Sequence, residues 1–242
     1  MSPRTGPERE TVHRRPAAGG VAIVELDRPE RRHAMDTALL ARLIAALESA
    51  AADGAVRAVV VTGAGGCFSS GADVSEPLDH AGAVARMGLF TRLYELAATF
   101  PKPTVAAIDG WCIGGGAELA SCCDLRAGTP GCGIRFPGGA FGVPVGAARL
   151  PMLIGLSHAK DLLMTTRTVG GEEAYRMGLL NRLAEPEAVL AVACALAGAM
   201  AANKGAVTQK RALEDALDLA AKREAEHRAM LRWQDAARGL MG

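Results

Sequence analysis

No charge of either sign prevails in this chain. Lys and Arg number 27 against 26 Asp and Glu, a formal net charge of +1 over 242 residues. A basic footprint is therefore missing, and no nucleic-acid partner is expected. A membrane-spanning run is missing as well. The longest uncharged stretch of the C-terminal third, Ala188 to Asn203, falls short of the roughly 20 apolar residues that cross a bilayer, and its alanines suit a packed helix. Arg4, Arg9, Arg14 and Arg15 are interrupted by Glu8 and Glu10 with no apolar run directly behind them, so no secretory signal is expected. The six cysteines show no Cys-x-x-Cys spacing and sit mostly among apolar residues. They read as small buried hydrophobes in a reducing cytoplasm, not as disulfides or zinc ligands. Internal repeats and low-complexity linkers are also absent.

What is present is apolar bulk: 50% of the residues are hydrophobic and 22% charged, which excludes intrinsic disorder. At roughly 100–200 residues per domain the length allows one large domain or two small ones. Folding should bury roughly 70–75% of the surface that the unfolded chain exposes. Val21 to Leu26, Val56 to Val61 and Val105 to Ile108 predict buried strands. Asp36 predicts an N-cap for a helix bearing Leu39, Leu40, Leu43, Ile44 and Leu47 at helical spacing. Met87, Phe90, Leu93 and Leu96 mark a second helix, and Ala117 to Cys123 a third. Strand and helix in alternation imply parallel strands with crossover helices. After about Arg149 the strands fade, and Leu150–Ile154, Ala159–Met164, Glu172–Met177, Glu187–Ala202 and Val207–Arg232 read as helices. The expected division is an N-terminal extension over 1–18, an α/β core over 19–185 and a helical region over 186–242.

Two glycine-rich turns each follow a predicted strand. One runs from Gly63 to Asp73 and contains Ser69-Ser70-Gly71-Ala72-Asp73; the other is Gly110-Trp111-Cys112-Ile113-Gly114-Gly115-Gly116-Ala117-Glu118-Leu119. Such turns let backbone approach a ligand, and a helix N-terminus offers free N–H groups to negative charge. Neither turn carries the dinucleotide fingerprint, the Gly-Lys-Ser/Thr of a phosphate loop, or Gly-x-Ser-x-Gly.

Taken together, Ser-Gly-Ala-Asp after one strand and Asp109-Gly110 with Gly-Gly-Gly-x-Glu-Leu after another resemble the crotonase superfamily, the enoyl-CoA hydratases and isomerases. The resemblance extends through Leu26 to Asp36, Lys102 to Ala107, Cys123 to Arg126, Arg149-Leu150-Pro151, Ile154-Gly155 and Glu172 to Asn181, roughly residues 18 to 185. It implies an α/β fold, a spiral of stacked ββα units with a helical C-terminal region, and a homo-oligomer, trimer or hexamer. The implied substrate is an acyl-CoA thioester, with no other cofactor and no metal. The family's two backbone donors to the thioester oxygen carry over to Ala72 and Gly115, an arrangement suited to a developing enolate. Its CoA contacts carry over to Arg31, Arg32 and Ala34 and to Asp73 and Val74, mostly through backbone, with Arg31 or Arg32 reaching a phosphate or simply standing in solvent. Ser70, Gly114 and Gly138 complete the implied pocket. Trp233 and the residues to Gly242 match the family's adenine cover only without its usual phenylalanine and lysine.

Family hydratases use two glutamates. The first maps onto Glu118, in the first turn of the predicted helix, where an acidic residue is also favourable by about 0.3–1 kcal/mol without any catalysis. The second maps onto Gly138, and no carboxylate lies anywhere from Ala127 through Arg149. Three readings follow: hydration of a 2-enoyl-CoA by the single Glu118; another enolate reaction, namely isomerisation, decarboxylation or thioester hydrolysis; or acyl-CoA binding with little turnover. His33 is expected to shape the CoA-facing turn, Asp73 to cap rather than catalyse, and Cys112, Cys122 and Cys123 to be inert.

Overall fold

The computed structural model describes residues 10–239, with side chains as far as residue 232. Six strands form the main sheet in the order β1 (Val12–Ala17), β2 (Val21–Leu26), β3 (Ala58–Gly63), β4 (Thr104–Ile108), β6 (Leu125–Gly128) and β9 (Arg182–Leu183). β1 is antiparallel to β2, and every other pairing is parallel. A second sheet of β5 (Trp111–Ile113), β7 (Gly133–Arg135) and β8 (Thr168–Gly170) lies beyond the end of β4.

The apolar runs in the central strands exist because both faces of the main sheet are buried. Alternate residues feed two cores. Ala22, Val24, Leu26, Val59, Val61, Ala106 and Ile108 pack toward α1 (Thr37–Ala52), α2 (His80–Ala98) and α3 (Gly115–Cys122). Val21, Ile23, Ala58, Val60, Val105 and Ala107 pack beneath α6 (Val189–Ala202), through Val189, Ala193 and Ala197. Asp36 caps α1 as expected, its side chain accepting from the Leu39 N–H at 2.8 Å.

Several expectations shift. Within the expected extension, Val12–Ala17 form β1, which pairs along its whole length with β2. Its Arg14-Arg15-Pro16 disguises a strand that tolerates proline because it is the sheet's edge. Beyond the expected boundary at 185, α6 closes one face of the sheet. The second strand begins at Ala58 rather than Val56, and β8 and β9 are too short to leave a periodic signal. Leu150–Ile154 and Ala159–Met164 belong to one helix, α4 (Leu150–Thr165), broken at Gly155, where φ is 76°. Val207–Arg232 divides at Asp218, φ 48°, into α7 (Ala206–Ala216) and α8 (Leu219–Gly239). The remaining helix, α5, spans Gly171–Arg176. Among the described residues no single helix is long and apolar enough to cross a membrane.

Candidate active site

β3 and β4 are parallel neighbours, Val59 paired with Thr104 and Val61 with Ala106, so both end at the same edge of the sheet. Ligands of open parallel sheets bind at that carboxyl edge. The two glycine-rich turns therefore leave the sheet side by side, and Ser69 bridges Cys112. On its other side the same segment bridges Met35 through Ala72. Met35 donates its N–H to the Gly71 carbonyl at 2.7 Å, and Asp73 donates its N–H to the Met35 carbonyl at 3.0 Å. Those bonds use the atoms flanking Ala72, so the N–H of Ala72 faces away from Met35.

Gly71 holds the two turns in contact. Its φ is +89°, and a β-carbon there would lie 2.7 Å from the Ile113 carbonyl oxygen and 3.1 Å from the Gly115 nitrogen. Gly115 opens α3, where the first backbone N–H groups have no partner within the helix. Ala72 and Gly115 thus present two amide donors from adjacent turns. A β-carbon on Gly115 would stand 3.1 Å from the Tyr94 hydroxyl, so Tyr94 borders this pair.

Behind Tyr94 lies a cavity of about 390 Å³, walled by Met87, Thr91, Cys122, Val145 and Met230 and by the charged Glu118, Arg149, Arg223 and Glu226. Glu118 stands in the first turn of α3 and is only 5% exposed. Its Oε1 is buried without a hydrogen-bond partner among the described residues, as is Nη2 of Arg149. Burial, reinforced by the charge of Glu226 and opposed by Arg149, pushes the Glu118 carboxyl well above the ordinary glutamate range. A carboxyl so placed can exchange a proton with a molecule in the cavity.

The far end of α3 is anchored by Arg126. Buried and bonded to neutral groups, it donates from Nη1 to the Cys123 carbonyl and from Nε to the Leu179 carbonyl, both at 2.7 Å. A cation at the C-terminal end of a helix also matches the helix dipole.

The other candidate residues surround the outer mouth. Arg31 and Arg32 are exposed and form no ion pair among the described residues. Ser70 turns to the same loop, its N–H donating to the Arg32 carbonyl at 2.9 Å and its hydroxyl to the Arg31 carbonyl at 3.5 Å. Ala34 gives its carbonyl to Nη1 of Arg28 at 2.8 Å, and that same nitrogen lies 2.8 Å from Asp73 Oδ2. Burial alone would raise the Asp73 carboxyl, but hydrogen bonds from Ser75 and Arg28 outweigh it and hold it below the ordinary aspartate value. Its side chain is thus committed to the turn, while Val74 beside it is 94% exposed. Gly114 donates its N–H to the Arg135 carbonyl at 2.9 Å, facing β7.

His33 is buried and shapes its loop. Nδ1 accepts from the Arg28 N–H at 2.9 Å and Nε2 donates to the Ala64 carbonyl at 2.7 Å, which fixes the neutral tautomer. Burial lowers its pKa in keeping with that form. All six cysteines are free, five of them buried, and burial raises the Cys122 and Cys123 thiols to about 12. Among the described residues no three His, Cys, Asp or Glu side chains group as a metal site. The expectation for Trp233 and the residues to Gly242 falls outside the described side chains.

Gly138 touches the cavity only through its neighbours. A β-carbon there would lie 2.7 Å from Val145 Cγ2 and 2.9 Å from the Val143 carbonyl oxygen, so the 143–145 loop fills the space a side chain would need. Gly138→Glu is therefore expected to cost about 1–3 kcal/mol through overpacking and to leave activity no higher. Thermal melting and the hydration assay below check this, and a faster enzyme would contradict it.

Sequence reasoning missed Tyr94, the cavity role of Arg149, and the whole contribution of α8. The available signal was the helical spacing of Ala220, Arg223, His227 and Met230, all of which face the cavity.

The chain matches known proteins in sequence and in fold. The family model for enoyl-CoA hydratase/isomerase matches residues 17–236. A crotonyl-CoA hydratase of Syntrophomonas wolfei is 32% identical over 184 residues, 74% of this chain and 71% of its own. A short-chain-enoyl-CoA hydratase of Clostridium acetobutylicum is 31% identical over 191 residues, 76% of this chain and 73% of its own. An enoyl-CoA hydratase/isomerase structure from Xanthobacter autotrophicus Py2 superposes with a TM-score of 0.84 at 30% identity, covering 93% of this chain and 87% of its own. A monofunctional enoyl CoA isomerase from M. smegmatis does so with a TM-score of 0.74 at 31% identity, covering 86% and 94%. The match runs through both glycine turns, Glu118 and most of α8, and this chain is an enzyme of the enoyl-CoA hydratase/isomerase family, within the crotonase superfamily.

Proposed function

We infer that this enzyme adds water across the double bond of a 2-trans-enoyl-CoA to give a 3-hydroxyacyl-CoA. The observation that carries the reading is Glu118, a buried carboxyl with an unpaired oxygen in a cavity that begins one tyrosine away from two amide donors. The thioester oxygen accepts from the N–H groups of Ala72 and Gly115. Glu118 takes a proton from water as the water oxygen bonds to C3. The C2=C3 electron pair moves toward the carbonyl, and the resulting enolate oxygen is held by the two amides and the N-terminal end of α3. C2 then takes up a proton.

The CoA moiety lies along the outer mouth, against the backbone of Arg31, Arg32, Ala34, Ser70, Asp73, Val74 and Gly114, with Gly138 behind the acyl end. Exposure of both arginines supports a phosphate contact there. Hydration consumes water and moves no net electrons, so the reaction calls for no cofactor beyond the CoA of the substrate. We place the enzyme in the cytoplasm, in keeping with its free cysteines, as a homo-oligomer, trimer or hexamer; sedimentation velocity measures the latter, and a monomer would contradict it.

The test follows the ultraviolet absorbance of the conjugated thioester with crotonyl-CoA and a longer 2-enoyl-CoA. Loss of absorbance with a 3-hydroxyacyl-CoA product is expected; tight binding with no product would overturn the reading. Double-bond isomerisation is the second reading, favoured by the likeness to the M. smegmatis isomerase. It would appear as a gain of that absorbance from a 3-enoyl-CoA.

A further inference from the structure

A second buried carboxyl in the cavity has no part in the hydration step written above. Glu226 projects from α8 into the space that Glu118 lines. Both carboxyls border one loop. A β-carbon at Gly146 would lie 2.9 Å from Glu118 Oε1, while the Ala148 N–H donates to Glu226 Oε1 at 3.2 Å. This is the loop that follows Gly138, where the second glutamate of family hydratases is absent. The hydration written above leaves C2 in need of a proton, and no carboxylate near Gly138 in sequence can give it.

We propose that Glu226 is a second catalytic carboxyl, supplied from the C-terminal helix, which delivers the proton to C2. The assignment rests on the thioester placement given above. In the forward step Glu118 accepts a proton from water, the oxygen–C3 bond forms, and the enolate electron pair takes the Glu226 proton to make the C2–H bond. The site ends with Glu118 protonated and Glu226 ionised, and exchange of protons with solvent resets both. Burial, opposed by the amides of Ala148, Ala147 and Gly146 and by Arg149, raises the Glu226 carboxyl above the ordinary glutamate value, which suits a proton donor. The charge of Glu226 raises Glu118, so the pair holds one proton between them, and the step above proceeds from the form that carries it on Glu226.

Two assays on the same proteins test this. One is hydration of crotonyl-CoA. The other is exchange of the C2 hydrogens of butyryl-CoA in deuterium oxide, which isolates proton transfer at C2 from any addition of water. Glu226→Gln keeps an oxygen to accept from Ala148, so the fold is expected to survive. It should lose both activities by about 10²–10⁴-fold, the range for one acid–base partner. Glu118→Gln should lose hydration and keep exchange.

Wild-type rates of both reactions in E226Q would overturn the assignment and leave the hydratase reading standing. Exchange that depends on Glu226, with no hydration by any variant, would overturn the hydratase reading and keep the assignment. A wild-type enzyme that does neither would overturn both. Should E226Q not fold, Glu226→Asp takes its place: slowed exchange from the shorter acid is expected, and an undiminished rate would overturn the assignment.

Discussion

Replacing Glu118 by glutamine is expected to lower kcat for hydration about 10²–10⁴-fold while leaving substrate binding nearly unchanged. The amide would have the same shape and could still contact a water, but it accepts no proton. Titration of binding with a CoA ester beside steady-state kinetics separates the two effects, and a parallel loss of binding would point to a structural role instead.

The same substitution is expected to stabilise the protein. Burial raises the Glu118 carboxyl above its unfolded value, with the charge of Glu226 adding to the shift. A group that holds its proton more tightly when folded adds stability below its unfolded pKa and loses it as pH rises through the folded one. At neutral pH wild type bears that loss, and E118Q does not. Each kcal/mol recovered should lift the melting midpoint by about 2–4 °C for a chain of this size. The gain should shrink as pH falls below the ordinary glutamate range; a variant that melts lower at neutral pH would contradict it. Hydration itself should fall as acid protonates Glu118, with its midpoint above the 4.5 of an ordinary glutamate.

Gly71→Ala carries the second largest expected effect. A methyl group at φ +89° is strained, and it meets backbone on the far side, the Ile113 carbonyl at 2.7 Å and the Gly115 nitrogen at 3.1 Å. Neither can rotate away as a side chain would, so the turns must part and the two amides lose their common focus. Loss of one donor to a developing oxyanion costs about 2.7–4 kcal/mol, or about 10²–10³ in kcat. Steady-state kinetics with the variant would show this as a fall in kcat exceeding any rise in KM. A variant with wild-type kcat would mean that the amides of Ala72 and Gly115 do not hold the thioester oxygen.

The parts of this architecture written in local pattern were legible. β2, β3 and β4 announce themselves because a sheet buried on both faces needs unbroken apolar strands. Asp36 and the leucines behind it specify α1, and the glycines around Ala72 and Gly115 mark where backbone must pass close to backbone. Three features were not legible. β1 carries Arg14, Arg15 and Pro16, residues an edge strand accepts and a pattern search rejects. The break between α7 and α8 depends on the left-handed conformation of Asp218, which the chain's helical spacing hides. Glu226 lies in a helix where every polar residue looks solvated until α8 folds against Glu118 and the loop at Gly146. Its role as a cavity wall arises from tertiary packing, which no short motif encodes.

The most direct measurement is turnover of crotonyl-CoA in heavy-oxygen water, with products resolved by mass for wild type and E118Q. Hydration requires the heavy oxygen in the acyl chain of an intact 3-hydroxyacyl-CoA, formed by wild type and nearly absent with E118Q. Label in a free carboxylate would show thioester hydrolysis, and an unlabelled acyl-CoA with wild type would mean that water is not added at C3.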